Sequence, residues 1–280
     1  MGELEYYAAA GPMTDLSAVA DFVAGCPTDP VAVGEVVRGL VMHPAWAVAY
    51  DVELTPEQDG DTHVRSAAEM VRTMVARDPA PAVTARAPGE RFGGTCRTFA
   101  VLTTALLRHQ GTPARARCGF GGYFQPGKWV DHWVVEHWDG ERWRMLDPQI
   151  DELQQEVTGL ADPTDLSAEQ FLTGGQAWQA CRAGEVDGGR FGIYEEWGQW
   201  FVPGNVARDL AALNKVEMLP WDGWGVVAGE NPPDDTVDAA AAALARDDRE
   251  ELAAAYAADP VTSPVLNFVR GVAEPVPELA

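Results

Sequence analysis

Positive charge is scarce in this chain: Lys and Arg together number 20 against 43 Asp and Glu, a formal charge of −23 at pH 7. A surface of that sign repels phosphate backbones and anionic headgroups, so neither nucleic acid nor a membrane surface is an expected partner. The excess would suit cationic substrates or amines, but an acid-rich proteome produces the same balance without functional meaning, and that plainer reading is preferred. No Lys or Arg precedes Arg38, and the opening MGELEYYAAAGPMTD holds no sustained apolar stretch, so no secretory signal is expected. No apolar run approaches the roughly 20 residues that span a bilayer. Cysteine is also thin. Cys26, Cys96, Cys118 and Cys181 form no CxxC pair, which argues against a disulfide framework or a zinc site and fits reduced thiols in a cytoplasmic protein.

What remains is a chain of 280 residues, 46 % hydrophobic, long enough to bury a large core as one big domain or one domain with an extension. Apolar periodicity predicts helices over 15–24, 31–42 and 61–77, with a short extended segment at 47–54. A further helix runs from Thr95 to His109 and is stopped by Gly111-Thr-Pro113. Three strands follow, at 114–124, 129–138 and 143–146, the last two joined by the Asp139-Gly140 turn signal. Beyond Ile150 strand signals vanish, and helices are expected at 167–172, 175–183, 206–215, 235–245 and 248–258. A helix followed by an antiparallel sheet makes the class α+β. The expected organisation is a helical region over 1–60, a catalytic core over 61–160 and a mostly helical extension over 161–280.

The stretch Arg91-Phe-Gly-Gly-Thr-Cys-Arg-Thr-Phe-Ala100 puts a thiol at the start of a helix, where unpaired N–H groups and the helix dipole favour thiolate. His132 follows 36 residues later in mid-strand, and Asp147 lies 15 residues beyond, just after a hairpin. Cys, His and Asp in that order suit an activated nucleophile, a base and a group that orients the base. Taken singly, a helix cysteine, a strand histidine and an Asp before Pro are more often structural than catalytic.

The wider text tips that balance. Gly94-Thr-Cys96-Arg-Thr-Phe-Ala100, Leu106-Leu-Arg108, Gly111-Thr-Pro-Ala-Arg115 and Gly119-Phe120, then Asp131-His132-Trp-Val-Val-Glu136, Trp143 and Asp147-Pro148, resemble the transglutaminase-like superfamily over about residues 65–150. The resemblance implies a papain-like fold, with the catalytic helix packed on an antiparallel sheet. It also implies Cys96 as nucleophile, His132 as general base and acid, and Asp147 as the residue orienting His132. The reaction implied is acyl chemistry on a peptide, amide or thioester carbonyl through a Cys96 thioester, resolved by water or an amine acceptor. No metal or other cofactor is required. The competing possibility is a non-catalytic binding or scaffold module that keeps the fold.

Around the triad, Gly93 and Gly94 are expected to let a substrate carbonyl approach the backbone, and Gly94, Trp133 and Glu136 are the candidate substrate contacts. Arg97, Arg115 and Arg117 offer a possible anion-binding cluster, Cys118 a packing thiol, and His109 and His137 surface side chains.

Overall fold

The computed structural model describes residues 2–228 and 233–279. In chain order the helices are α1 (Glu3–Ala8), α2 (Ala20–Val23), α3 (Pro30–Leu40), α4 (Pro56–Asp61), α5 (Ala67–Arg77), α6 (Cys96–His109), α7 (Glu152–Thr158), α8 (Gly174–Ala183), α9 (Val202–Leu213), α10 (Asp234–Arg246) and α11 (Arg249–Ala258). The strands are β1 (Val41–Met42), β2 (Phe92–Gly93), β3 (Ala114–Gly121), β4 (Trp129–Trp138), β5 (Trp143–Leu146), β6 (Phe171–Thr173), β7 (Phe191–Ile193), β8 (Glu196–Trp197), β9 (Asp222–Gly223), β10 (Val265–Asn267) and β11 (Val272–Glu274). The class is α+β. Among the described residues no helix is long and apolar enough to cross a membrane.

The main sheet runs in the order β6-β3-β4-β7-β8, with β5 also paired to β4. β5 meets β4 antiparallel in the register Val135↔Leu146 to Trp138↔Trp143. The expected hairpin is present. Asp139 Oδ1 accepts the N–H groups of Glu141 (2.8 Å) and Arg142 (2.9 Å), and Gly140 takes φ +106°, a conformation that a side chain would strain.

The residues divide into two compact units that interleave along the chain. The first comprises Met1–Ala116, Val134–Val157 and Ala161–Asp165. Its centre is α6, in which every residue from Cys96 to Arg108 is buried. A helix buried on every side belongs in the middle of a core. α3 and α1 pack on it, and Val33, Val37, Leu40 and Tyr7 of those helices are buried, as are Phe99, Leu102, Leu106 and Leu107 of α6. The start of α3 follows capping rules: Asp29 caps Ala32 N–H at 2.9 Å and Pro30 occupies the first turn. Of the span expected to be helical over 61–77, α5 forms the part from Ala67 under a Ser66 cap, while Asp61 ends a separate helix, α4, capped by Thr55. The extended segment expected at 47–54 is instead part of a 3-10 helix, Pro44–Tyr50.

The second unit comprises Arg117–Trp133, Thr158–Leu160 and Leu166–Ala280. Here the expectation that strands end at residue 150 fails. β6 pairs antiparallel with β3 (Gly119↔Thr173), β7 pairs parallel with β4 (Trp129↔Phe191), and β9, β10 and β11 form a separate sheet. Part of the span read as a helix at 167–172 is therefore strand. Three-residue strands are too short to show the alternation that separates strand from helix. α8, α9, α10 and α11 pack on one another and match the helical expectations, α9 beginning earlier than expected.

Candidate active site

Cys96 is the first residue of the 14-residue helix α6 and is buried. Its N-cap, Thr95, is extended at φ −85°, ψ 176°, makes no side-chain cap, and has a buried hydroxyl without a hydrogen-bond partner. Most helices place a side-chain oxygen over their first N–H groups; this one leaves that position to another acceptor. The loop that delivers Cys96 is held by two residues of α4. Gln58 Nε2 donates to Gly89 O (3.1 Å) and Arg91 O (2.7 Å), and Asp61 Oδ2 accepts Gly93 N–H (3.1 Å) while Oδ1 accepts Arg77 Nη2 (2.7 Å). Gly94 N–H then bonds Met42 O at 2.9 Å.

This supporting role of Gln58 and Asp61 was not foreseen. A Thr-Pro-x-Gln capping signature stood at 55–58 in the sequence, and it is the signal that would have ended the preceding segment there. The two glycines find a packing reason. A Cβ on Gly93 would lie 1.9 Å from Gln58 O, and one on Gly94 would lie 2.6–2.7 Å from Thr98 and Val41.

Asp147 follows β5 and is fully buried. Its N–H donates to Pro163 O (2.8 Å), and its Oδ1 accepts Gln149 N–H (3.0 Å). Arg38 Nη1 donates to Pro148 O (3.2 Å); burial lowers the Arg38 pKa, against the pull of Glu35, Asp151, Asp147 and Tyr50. Beside it runs a polar chain: Gln149 Nε2 to Gln154 Oε1 (3.2 Å), Gln154 Nε2 to Tyr50 Oη (3.1 Å), and Tyr50 Oη to Asp151 Oδ2 (2.6 Å). Burial first, then the bond to Asp151, pushes the Tyr50 phenol up to about 12.

His132 is buried on β4, its ring centroid 4.7 Å from Phe124, 6.1 Å from Tyr123 and 6.5 Å from Phe171. Its neighbour Asp131 is buried too, and its Oδ1 accepts Asn205 Nδ2 at 2.8 Å. Burial pushes the Asp131 carboxyl up; the charge on Arg208, the Asn205 hydrogen bond and His132 pull it back. Cys96 and Asp147 belong to the first unit and His132 to the second, the division running through β4 directly after Trp133.

Several expectations about neighbouring residues need correction. Trp133 is buried, like Asp147 and His132. Glu136 is paired with Arg115, Oε2 to Nε at 2.6 Å, and Arg117 is paired bidentately with Asp209 (2.9 and 2.8 Å). Arg97 is buried and donates to Val64 O at 3.3 Å. The three arginines are internal and engaged by the protein itself, so they form no anion cluster. His137 is buried, and desolvation first of all lowers its pKa, whereas His109 is exposed as expected. Cys118 is a packed core thiol. Among the described residues no group of three or more His, Cys, Asp or Glu could hold a metal ion.

Residues 49–148 match the sequence model of the transglutaminase-like superfamily. Among solved structures the chain is similar to a candidate cysteine protease from Cytophaga hutchinsonii, at 17 % identity and a TM-score of 0.36, over 62 % of this chain and 46 % of that one. It is also similar to red sea bream transglutaminase, at 16 % identity and a TM-score of 0.30, over 54 % of this chain and 27 % of that one. The chain thus spans less than half the length of either structure. No curated protein matches it. The segment that carries Cys96, His132 and Asp147 thus lies within residues that match the transglutaminase-like superfamily.

Proposed function

We propose that this protein is a cysteine-dependent enzyme that transfers or hydrolyses acyl groups through a thioester on Cys96. The observation that carries the reading is Cys96 at the first position of α6, under an N-cap that supplies no side-chain acceptor. Helix N–H groups and the positive end of the dipole there stabilise both a thiolate and an oxyanion. The family match over 49–148 supports the same chemistry.

In this scheme His132 takes the Cys96 proton, and Asp147 holds the imidazole in the productive tautomer. The sulfur attacks an amide or related carbonyl carbon, and the backbone N–H at Cys96 receives the oxyanion. Collapse expels the amine, which leaves with the proton from the His132 imidazolium. Water or a second amine then attacks the thioester, gives its proton to His132 and returns the thiolate. The substrate is an acyl donor of the peptide, amide or thioester class, and the acceptor is water or an amine.

The test is intact-mass trapping of the acyl-enzyme with p-nitrophenyl acetate and a peptide and carrier-thioester panel, with and without an amine. An adduct that maps to Cys96, vanishes in Cys96→Ala and is released faster by the amine is the expected result. Iodoacetamide should also modify Cys96 ahead of Cys26 and Cys181, whose thiols burial pushes up. Equal rates at Cys96, Cys26 and Cys181, with no acyl adduct on any donor, would sink the catalytic reading and leave a scaffold.

A further inference from the structure

The helix α9 lies outside the segment that matches the family, yet among its buried residues runs a polar stripe. Asn205 and Asp209 are fully buried and Arg208 nearly so. Positions i, i+3 and i+4 share one stripe of a helix, so an amide, a guanidinium and a carboxylate stand together where a core helix ordinarily carries Leu or Val.

Each side chain has a defined target. Asp209 accepts Arg117 Nε and Nη2, and its Oδ1 also takes the Cys118 N–H at 3.1 Å. Asn205 Nδ2 donates to Gly119 O (3.0 Å) and to Asp131 Oδ1 (2.8 Å), while its Oδ1 accepts Arg208 Nη1 (3.4 Å). The approach is close: a Cβ on Gly174 would lie 2.3 Å from Asn205 O, so only glycine lets α8 meet α9 at this height. Burying such groups costs desolvation that apolar side chains would not incur, so stability alone is a poor reason for them.

The targets supply a better reason. They are residues of β3 and β4, and the one on β4 immediately precedes His132. Strand alternation sends Asp131 to one face and His132 to the other, so fixing the Asp131 carboxylate fixes the rotation of the strand at His132. We infer that Asn205 and Arg208 are positioning residues for His132, holding it through Asp131 so that its ring stays against Phe124, Tyr123 and Phe171. The C-terminal extension is then part of the reaction machinery. This rests on reading His132 as the general base. The charged groups that act on Asp131 are Arg208 of α9 and the adjacent His132, which lies on the opposite face of the strand.

The full chain and its Asn205→Ala and Asp131→Asn variants are compared by two readouts. The first is the maximal acylation rate with p-nitrophenyl acetate, normalised to burst amplitude so that unfolded molecules do not count. The second is the NMR titration of the His132 ring. Asn205→Ala should lower the normalised rate by about tenfold or more, with the half-saturating concentration within about twofold. Both variants should lower the His132 midpoint, Asp131→Asn by about half a pH unit or more, because a facing negative charge is lost. Asp131→Asn is nearly isosteric and keeps the test alive if Asn205→Ala does not fold. A folded variant of either kind that matches wild type in both rate and midpoint overturns the inference. If the midpoints shift but no protein, wild type included, forms an acyl-enzyme, the positioning stands and the acyl-transfer reading falls.

Discussion

Arg115 and Arg117 occupy alternate positions of one strand, both buried, yet their charges are answered by different parts of the chain. Arg115 is neutralised within the first unit: Glu136 of the neighbouring strand at 2.6 Å, Glu3 at 3.6 Å, and the rings of Trp143 and Tyr7 at 4.2 and 5.2 Å from its guanidinium carbon. Arg117 depends in the second unit on Asp209 of α9, a residue about ninety positions downstream and outside the family-matched segment. The first charge is held redundantly, by two carboxylates and two aromatic faces. The second is paired bidentately with a carboxylate of α9 that is also committed to Cys118 N–H. The difference teaches that the chain after residue 148 does structural work on β3 that the family segment cannot do for itself.

Breaking the second pair should therefore cost more than breaking the first. Asp209→Leu leaves Arg117 buried without its partner, and urea unfolding should show a loss of about 3–5 kcal/mol. Pairing it with Arg117→Met should recover most of that loss, since matched apolar residues avoid the stranded charge. Glu136→Leu is the corresponding change at Arg115. Glu3 and the rings of Trp143 and Tyr7 remain, so the loss should be smaller, about 1–2 kcal/mol. Equal losses at the two sites would contradict the redundancy argument.

Half-buried polar groups extend the comparison to smaller effects. The Tyr50 phenol is raised to about 12 in the folded state, above its ordinary value near 10. The preference is for the protonated form, so its contribution is complete below pH about 10 and is lost as pH rises through about 12. Phenolate absorbance, read as wild type minus Tyr50→Phe, should titrate near 12, and Asp151→Asn should lower that midpoint. The smallest effect belongs to the hairpin turn. Backbone N–H of Arg142, then the Arg144 guanidinium and Glu141 N–H, hold the exposed Asp139 carboxyl far below its usual range. Its contribution is present above the ordinary carboxylate range and is lost as pH falls toward the depressed value. Asp139→Ala should flatten the acid limb of the stability profile only slightly; a large change would mean that the turn carries more than its exposure suggests.

What the sequence made legible follows from how many residues each signal had. α6 announced itself over four turns of period 3.6, with Gly111 at φ +82° as its stop. β4 and β5 were marked by the Asp-Gly turn between them. The two-residue β8 and β9 and the three-residue β6, β7, β10 and β11 offered no run from which alternation could be read. The polar stripe of α9 was hidden for another reason: Asn, Arg and Asp on a helix ordinarily mark its solvated face, and only tertiary structure shows them buried. The same holds for Gln58 and Asp61. Their chemistry is ordinary, and their importance comes from the loop they hold, which lies some thirty residues away.

The pairing of β6 with β3 has a consequence for how the protein is made. Gly119, Phe120 and Gly121 leave the ribosome about fifty residues before Phe171–Thr173, and about ninety before Asp209. Through that interval this end of β3 presents an unpaired strand edge and an unanswered arginine, a hazard for association between nascent chains. Expression trials cut at residue 148 would make the interval permanent. The family-matched segment is thus a poor unit for isolation, because β6 and Asp209, which complete this end of β3, both lie beyond it.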